Sequence, residues 1–196
     1  VMKAHYNGLI PRNPFIQFHI SPNVKEREYL TEDELKAVMT HEFADSKLAY
    51  IRDIFIFASF TALSFVDIQE LTNDNIVEVN GEKWILSKRH KTKVAFQVKL
   101  LDIPLQIVER YRPMQKDNRI FPGLNYWSIC KPLKRMIREC GITKSISFHC
   151  SRHGFATLAL SKGMPIESVS RVLGHTNIVT TQLYAKITTQ KLDNDL

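Results

Sequence analysis

The side chains with the clearest chemistry lie in one short stretch near the C-terminal end, and they are His149, Arg152, His175 and Tyr184. The guanidinium of Arg152 presents a planar fork of donors that matches two oxygens of a phosphate. The two imidazoles can donate hydrogen bonds or move protons near neutral pH, and the phenol of Tyr184 can become a covalent nucleophile. Together, these groups can bind a phosphodiester and attack its phosphorus.

Each of these residues also has an ordinary structural explanation when it is considered alone. His149 and Arg152 lie three apart and could form a polar cap at the start of a helix. His175 follows Gly174 and could be a polar turn residue, and Tyr184 could be a half-buried aromatic with a solvated hydroxyl. Their occurrence together, in this order, favours a phosphate-binding site that contains a nucleophile.

Helices are the elements that must position these side chains. Thr31 and Glu34 form a capping box, which predicts a helix through about Met39. Pro165 fits a first helical turn, and Gly174 fits the end of a helix. Apolar patterns predict further helices over residues 47–63, 66–71, 105–112, 127–139, 149–161, 166–173 and 179–186.

One small antiparallel sheet is predicted between these helical segments. Asn80-Gly81 lies between alternating apolar residues, which is a strong signal for a two-residue hairpin turn. A third strand over residues 94–100 follows a turn at residues 87–93 that is rich in lysine and arginine. The predicted fold class is therefore mainly α with a small antiparallel β-sheet (α+β).

The composition favours a nucleic-acid-binding protein with a single core. The 196 residues are 44% hydrophobic, which is enough for one core of ordinary size. The net charge of +7 at pH 7 and a pI near 9.3 favour a polyanionic partner. The three cysteines form no Cys-x-x-Cys pair, so we expect reduced thiols in the cytoplasm and no zinc site. No apolar run approaches the length of a membrane span, so no membrane partner is expected.

The order of the His-x-x-Arg pair, the Leu-Gly-His segment and the distal tyrosine resembles the catalytic domain of tyrosine recombinases, the phage-integrase family. The resemblance implies a tyrosine-recombinase catalytic domain over residues 29–187. It also implies that residues 1–28 are a linker and the remnant of a missing N-terminal core-binding domain. Residues 188–196 would be a C-terminal tail, which in such proteins often packs on a neighbouring protomer.

The resemblance further implies that this region cleaves and rejoins DNA strands by transesterification. Tyr184 would attack a phosphorus and form a 3′-phosphotyrosyl bond, while Arg152 binds the phosphate. His149 and His175 would hydrogen-bond the phosphate, and one of them would accept the phenolic proton. The covalent intermediate conserves the energy of the broken bond, so we expect no cofactor, neither a metal ion nor ATP.

A lysine on the basic turn between the second and third strands adds to the resemblance. In the family, a lysine on such a hairpin protonates the departing 5′ oxygen, and Lys91 is the best match. Lys93 is the alternative if the register is shifted. Lys88, Arg89 and Lys93 are expected to bind DNA phosphates, since cations on an exposed turn attract the DNA backbone.

One position departs from the family pattern. Ser64 stands where the first catalytic arginine is expected, and a short neutral hydroxyl cannot replace a bidentate cation. Asp67 fits the family's acidic position, which orients the groups that bind phosphate. Losing the arginine should weaken transition-state stabilisation unless another cation fills its place. The candidates for that cation are Arg52, Arg89 and Lys93.

The predicted function is therefore a site-specific DNA recombinase or integrase from a mobile element or phage, located in the cytoplasm with the nucleoid. Its expected partners are double-stranded DNA and further copies of the chain in a tetramer on DNA. An accessory DNA-bending protein is an optional further partner. Two alternatives remain. One is a type IB topoisomerase, which shares the tyrosine chemistry. The other is a DNA-binding module without catalysis, for which Ser64 is the main evidence.

Overall fold

Helices dominate the computed structural model, which describes residues 1–15, 28–115 and 117–185. A three-stranded antiparallel sheet interrupts the helices between Gln69 and Asp102, so the predicted fold class is confirmed. The helices are α1 (Met2–Tyr6), α2 (Glu32–Thr40), α3 (Ser46–Thr61), α4 (Phe65–Gln69), α5 (Asp102–Tyr111), α6 (Tyr126–Glu139), α7 (His149–Ser161), α8 (Ile166–Leu173) and α9, which covers residues 179–185. The strands are β1 (Ile76–Val79), β2 (Glu82–Lys88) and β3 (Ala95–Lys99), and short 3₁₀ helices lie at Asn73–Asn75 and Arg112–Met114.

Helix α3 lies at the centre of the core, where it packs against α2, α5, α6 and α7. The structure buries side chains all around this helix, from Leu48 near its start to Phe57 and Ala58 near its end. The reason is that four helices surround it. The helix ends at Ala62, whose backbone is left-handed with φ 56°. The carbonyls at this end lack partners within the helix and are available to other groups.

The β1–β2 hairpin has the predicted two-residue turn. Asn80 and Gly81 have φ values of 52° and 78°, and positive φ at both residues is what a type I′ turn requires. The sheet order is β1-β2-β3, and β2 pairs in antiparallel register with both neighbours. Ile85, Phe96 and Val98 bury one face of the sheet, and α8 packs against β3. The basic turn between β2 and β3 therefore lies beside α8.

The helices that carry the predicted site have the expected bounds. Helices α7 and α8 begin and end at the predicted residues. Gly174 ends α8 with φ 62°, as expected for a glycine after a helix. Among the described residues, no helix combines the length and apolarity needed to cross a lipid bilayer.

The N-terminal segment, which was predicted as a linker over residues 1–28, contains one short helix. Residues 2–6 form the short helix α1, with a first hydrogen bond from His5 N to Val1 O. The prolines that suggested extended backbone begin only at Pro11, so nothing in these first residues opposes a helical turn. Residues 16–27 and the predicted tail at 188–196 lie outside the described residues.

Candidate active site

A cleft of about 260 Å³ brings together polar residues that lie far apart in the sequence. It lies between the start of α7, the β2–β3 turn and the end of α8. Lys91, His149, Arg152 and His175 line it, whereas Tyr184, the fifth residue predicted to carry the chemistry, is not among its lining residues. Its walls also contain Ser64, Asp67 and Arg89.

Arg152 is held between the C-terminal ends of two helices. Its side chain is 9% exposed. One terminal nitrogen donates to the carbonyl of Ala62 at 2.8 Å, and the other donates to the carbonyl of Leu173. Both acceptors lie at helix ends, where carbonyls lack helical partners and the dipole is negative. Burial and the nearby Arg89 lower the pKa of Arg152 to about 10, so the guanidinium remains charged at neutral pH.

Arg89 turns inward from the β2–β3 turn and is 5% exposed. This corrects the expectation that it is a solvated cation on the turn. Its guanidinium donates to Asp67 Oδ2 at 2.8 Å and to the carbonyl of Val172, and it stacks 4.0 Å above the ring of Phe96. Burial lowers the pKa of Arg89, and the hydrogen bond and charge of Asp67 oppose that shift. The carbonyls of Val172 and Leu173 are consecutive, so the end of α8 holds both guanidinium groups of the cleft.

Ser64 has a structural role that does not follow from the family resemblance, which places an arginine at this position. It is the N-cap of α4 and forms a capping box with Asp67. Its hydroxyl donates to Asp67 Oδ2 at 2.8 Å, and the backbone N–H of His90 donates to Asp67 Oδ1 at 2.9 Å. Burial alone would raise the pKa of Asp67, but the hydrogen bonds from His90 and Arg89 lower it overall. The carboxylate is therefore ionised and fixes Arg89 beside Ser64.

The three candidates for the missing cation have different positions. Arg52 donates to Asp53 Oδ1 at 2.9 Å and to the carbonyl of His41 at 2.8 Å, and it does not line the cleft. Lys93 is exposed with φ 58° and does not line the cleft either. Arg89 lines the cleft. Geometry therefore favours Arg89 as the cation beside Ser64.

The lysines of the β2–β3 turn are exposed, in contrast to Arg89. The turn is closed by hydrogen bonds from Arg89 N to Val94 O and from Lys93 N to Arg89 O, both 2.8 Å. Lys91 is exposed and lines the cleft. Lys88 ends β2 and is exposed outside the cleft wall. This arrangement fits the predicted Lys91 role better than the alternative register at Lys93.

Tyr184 lies on α9 and is 6% exposed. Its ring packs in a small apolar cluster that includes Ala156 and Leu173. The ring of His153 lies 5.3 Å from the ring of Tyr184 and 4.6 Å from the ring of His149, measured between centroids. The tyrosine is therefore held by packing against α7 and α8, next to the residues that line the cleft.

His175 faces the cleft just after α8, and Thr181 of α9 contacts its ring. Its Nδ1 lies 2.8 Å from Thr181 Oγ1. Burial, followed by the positive charges of Arg152 and Arg89, lowers the pKa of His175 to about 4. The imidazole is therefore neutral at pH 7 and carries one N–H.

The sequence of this chain matches one known family over most of its length. The sequence model of the phage integrase family covers residues 28–191. The chain belongs to the phage integrase family. The tyrosine recombinase XerA of Pyrococcus horikoshii is 32% identical over 177 residues, which cover 83% of the chain and 58% of XerA. The chain thus spans little more than half of that relative.

Solved structures that resemble this integrase-family chain have the same fold. The Tn1549 transposon integrase in complex with a circular intermediate DNA has a TM-score of 0.79 at 17% identity, covering 93% of this chain and 70% of that one. The XerH site-specific recombinase bound to a palindromic difH substrate, in a post-cleavage complex, has a TM-score of 0.72 at 22% identity, covering 90% of this chain and 54% of that one. The fold is therefore that of a tyrosine-recombinase catalytic domain.

Three features of the cleft in this integrase-family chain were not predicted from the sequence. Ser64 and Asp67 have the Ser-x-x-Asp spacing of a helix cap, so the capping role had a readable signal. The inward direction of Arg89 had none, because it depends on contacts with Val172 and Phe96 from other elements. The contact of Thr181 with His175 also had no distinct signal.

Proposed function

We propose that this chain is the catalytic domain of a site-specific DNA recombinase or integrase that works through a 3′-phosphotyrosyl intermediate. The observation that carries the proposal is the pair of buried guanidinium groups, Arg89 and Arg152, that line one cleft with His149, His175 and Lys91. Two fixed cations and hydrogen-bond donors suit the negative charge that builds on phosphate oxygens during attack. The +7 net charge agrees with a DNA partner.

In the proposed reaction, the scissile phosphate binds in the cleft between Arg89 and Arg152. The Tyr184 oxygen forms a bond to phosphorus, and the bond from phosphorus to the 5′ oxygen breaks. Lys91 gives its proton to the departing 5′ oxygen, and one of the two cleft imidazoles accepts the phenolic proton. A 5′ hydroxyl of another strand then attacks the phosphotyrosine and releases the tyrosine, so the number of phosphodiester bonds is unchanged.

The partners proposed for this chain follow from its charge and its family. The Tn1549 integrase and XerH structures contain DNA, and we extend a double-stranded DNA partner to this chain. The exposed Lys88 and Lys93 beside the cleft suit contacts with the DNA backbone. The same proposal includes a tetramer on paired sites, an accessory DNA-bending protein and action at the nucleoid. It also includes residues 1–28 as the linker and remnant of an N-terminal core-binding domain.

The proposed function can be tested without knowledge of the DNA site. The chain is incubated with nicked duplexes whose sequence around the nick is randomised, and DNA that migrates with protein on a denaturing gel is sequenced. We expect covalent adducts enriched for one sequence. Adducts at any sequence, together with relaxation of a supercoiled plasmid, would indicate a topoisomerase. DNA binding without adducts would indicate a module without catalysis. The enriched sequence then supplies the substrate for all further measurements.

Gly174→Ala should lower cleavage by about tenfold or more, because small displacements in an active site are costly. A Cβ at this position would lie 2.9 Å from Cγ and Nε of Arg89, and φ is 62°. The added methyl group therefore forces Arg89 to move. The measurement is the single-turnover rate of adduct formation on the nicked substrate.

Gly163→Ala is the matched control for this change. Gly163 also has a positive φ, 84°, but a Cβ there would meet no atom within 4 Å. Both variants should lose about 1–2 kcal/mol of unfolding free energy from the left-handed backbone. Only Gly174→Ala should slow cleavage. Equal cleavage rates in the two variants would show that Arg89 is not needed where the structure holds it.

A further inference from the structure

The hydrogen bond between Thr181 and His175 determines which nitrogen of the imidazole can act in the cleft. Thr181 lies in the first turn of α9 and its side chain is fully buried, with 0% exposure. Its Oγ1 lies 2.8 Å from Nδ1 of His175. Thr181 and Tyr184 lie three residues apart on α9, so they share a face of the same helix. The helix that carries the nucleophile therefore also contacts the imidazole of the cleft.

The direction of this hydrogen bond follows from the inventory of donors. A threonine hydroxyl has one hydrogen, and leaving it unmatched in a buried position is costly. Within residues 28–115 and 117–185, the only hydrogen-bond partner of this hydroxyl is His175 Nδ1. The hydroxyl therefore donates, and Nδ1 accepts. In a neutral imidazole whose Nδ1 accepts, the proton is on Nε2.

The other ring nitrogen of His175 is available to a ligand. His175 lines the cleft together with Arg152 and His149. Its Nε2 makes no hydrogen bond to any of the residues that the structure describes. The lowered pKa of about 4 means that the ring carries a single N–H at neutral pH. The choice of tautomer thus decides whether His175 is a donor or an acceptor toward the phosphate.

We propose that Thr181 is a positioning residue that fixes His175 as the Nε2–H tautomer, so that His175 donates a hydrogen bond to a phosphate oxygen in the cleft. The phosphate in this proposal rests on the proposed function, whereas the tautomer does not require DNA. A consequence is that His175 cannot accept the phenolic proton of Tyr184 through Nε2.

The tautomer can be measured directly by ¹⁵N NMR of the imidazole rings in the DNA-free chain. The His175 signals are assigned by their loss in His175→Asn. In the parent chain, we expect a proton on Nε2 and a bare Nδ1 at neutral pH. Thr181→Ser keeps the hydroxyl and should keep this pattern. Thr181→Val has nearly the same volume without a hydroxyl and should give a mixture of tautomers. A proton on Nδ1 in the parent chain would overturn the proposal.

The effect on cleavage uses the same pair of variants. Thr181→Val should lower the single-turnover rate of adduct formation about tenfold, as expected for the loss of one hydrogen bond. Thr181→Ser should stay within about threefold of the parent rate, since it keeps that bond. DNA affinity, measured by gel shift, should not change in either variant. A loss in Thr181→Ser equal to that in Thr181→Val would contradict the role of the hydroxyl.

A double variant separates an effect on His175 from an effect on the packing of α9. In the His175→Asn background, Thr181→Val should cause no further loss of cleavage, because the hydroxyl acts through the imidazole. A further tenfold loss in that background would show that Thr181 acts by placing Tyr184 instead. Failure of the parent chain to form any adduct would reject the proposed function, but the NMR result would still decide the tautomer.

Discussion

Tyr184→Phe is expected to abolish covalent attachment to DNA, with a fall in adduct formation of more than about a thousandfold. The change removes only the hydroxyl that is proposed to attack phosphorus. The ring, which packs against His153 and Leu173, is retained. DNA affinity should therefore remain nearly unchanged. Denaturing gels with the nicked substrate measure the adduct, and gel shifts measure the affinity.

Tyr126→Phe is the matched control for this prediction. Tyr126 begins α6, is 46% exposed and packs its ring on Phe65. It does not line the cleft. Removal of the Tyr126 hydroxyl should leave adduct formation at the level of the parent chain. An adduct of ordinary yield in Tyr184→Phe would remove Tyr184 from the mechanism.

Arg89→Ala should lower cleavage by about a hundredfold to a thousandfold, which is the usual cost of losing one fixed group that stabilises the transition state. Arg89→Lys should fail almost as badly. The two terminal nitrogens of the guanidinium donate separately to the carboxylate of Asp67 and to the carbonyl of Val172. The single compact ammonium of lysine lacks this planar fork and is not expected to reproduce both bonds in the same geometry. Single-turnover cleavage measures the effect, and thermal unfolding shows whether each variant is folded. Cleavage by Arg89→Ala near the parent rate would mean that Ser64 leaves a true gap in the site.

An arginine at position 64 provides a second test of whether Arg89 replaces the arginine expected there. Ser64→Arg alone should lower cleavage, because Arg89 already occupies the cleft beside Asp67 and a further cation is repelled. In the Arg89→Ala background, however, Ser64→Arg should restore at least about tenfold of the lost rate. Ser64→Ala is the control for the lost helix cap, worth about 1 kcal/mol of stability. A gain in cleavage from Ser64→Arg alone would show that Arg89 does not act as the relocated cation.

The parts of the fold that were predictable from sequence are those set by local chemistry. The capping box of Thr31 and Glu34 is present with both hydrogen bonds. The turn at Asn80-Gly81 has the backbone that its residues favour. The observed bounds of α7 and α8 match the predicted ones, because apolar spacing and Gly174 act within a few residues of each helix end. Such signals do not depend on how distant elements pack.

The parts that sequence did not predict depend on contacts between distant elements. The side chain of Arg89 could face DNA or the core, and Phe96 and the end of α8 decide this. In α3, burial on all sides follows from the number of helices around it. Lys91 was expected near His149 only through the family resemblance, and the cleft places them together.

The end of α8 holds the site together in a way that affects its dynamics. The carbonyls of Val172 and Leu173 hold the guanidinium groups of Arg89 and Arg152. A brief detachment of α8 from β3 would release both groups in a single event. The chain would then be able to bind phosphate only while α8 is docked. The contributions of the two arginines to phosphate binding would not be additive, because both are lost together. Amide hydrogen exchange within α8 would measure the fraction of molecules in which α8 is detached and the proposed phosphate site is lost.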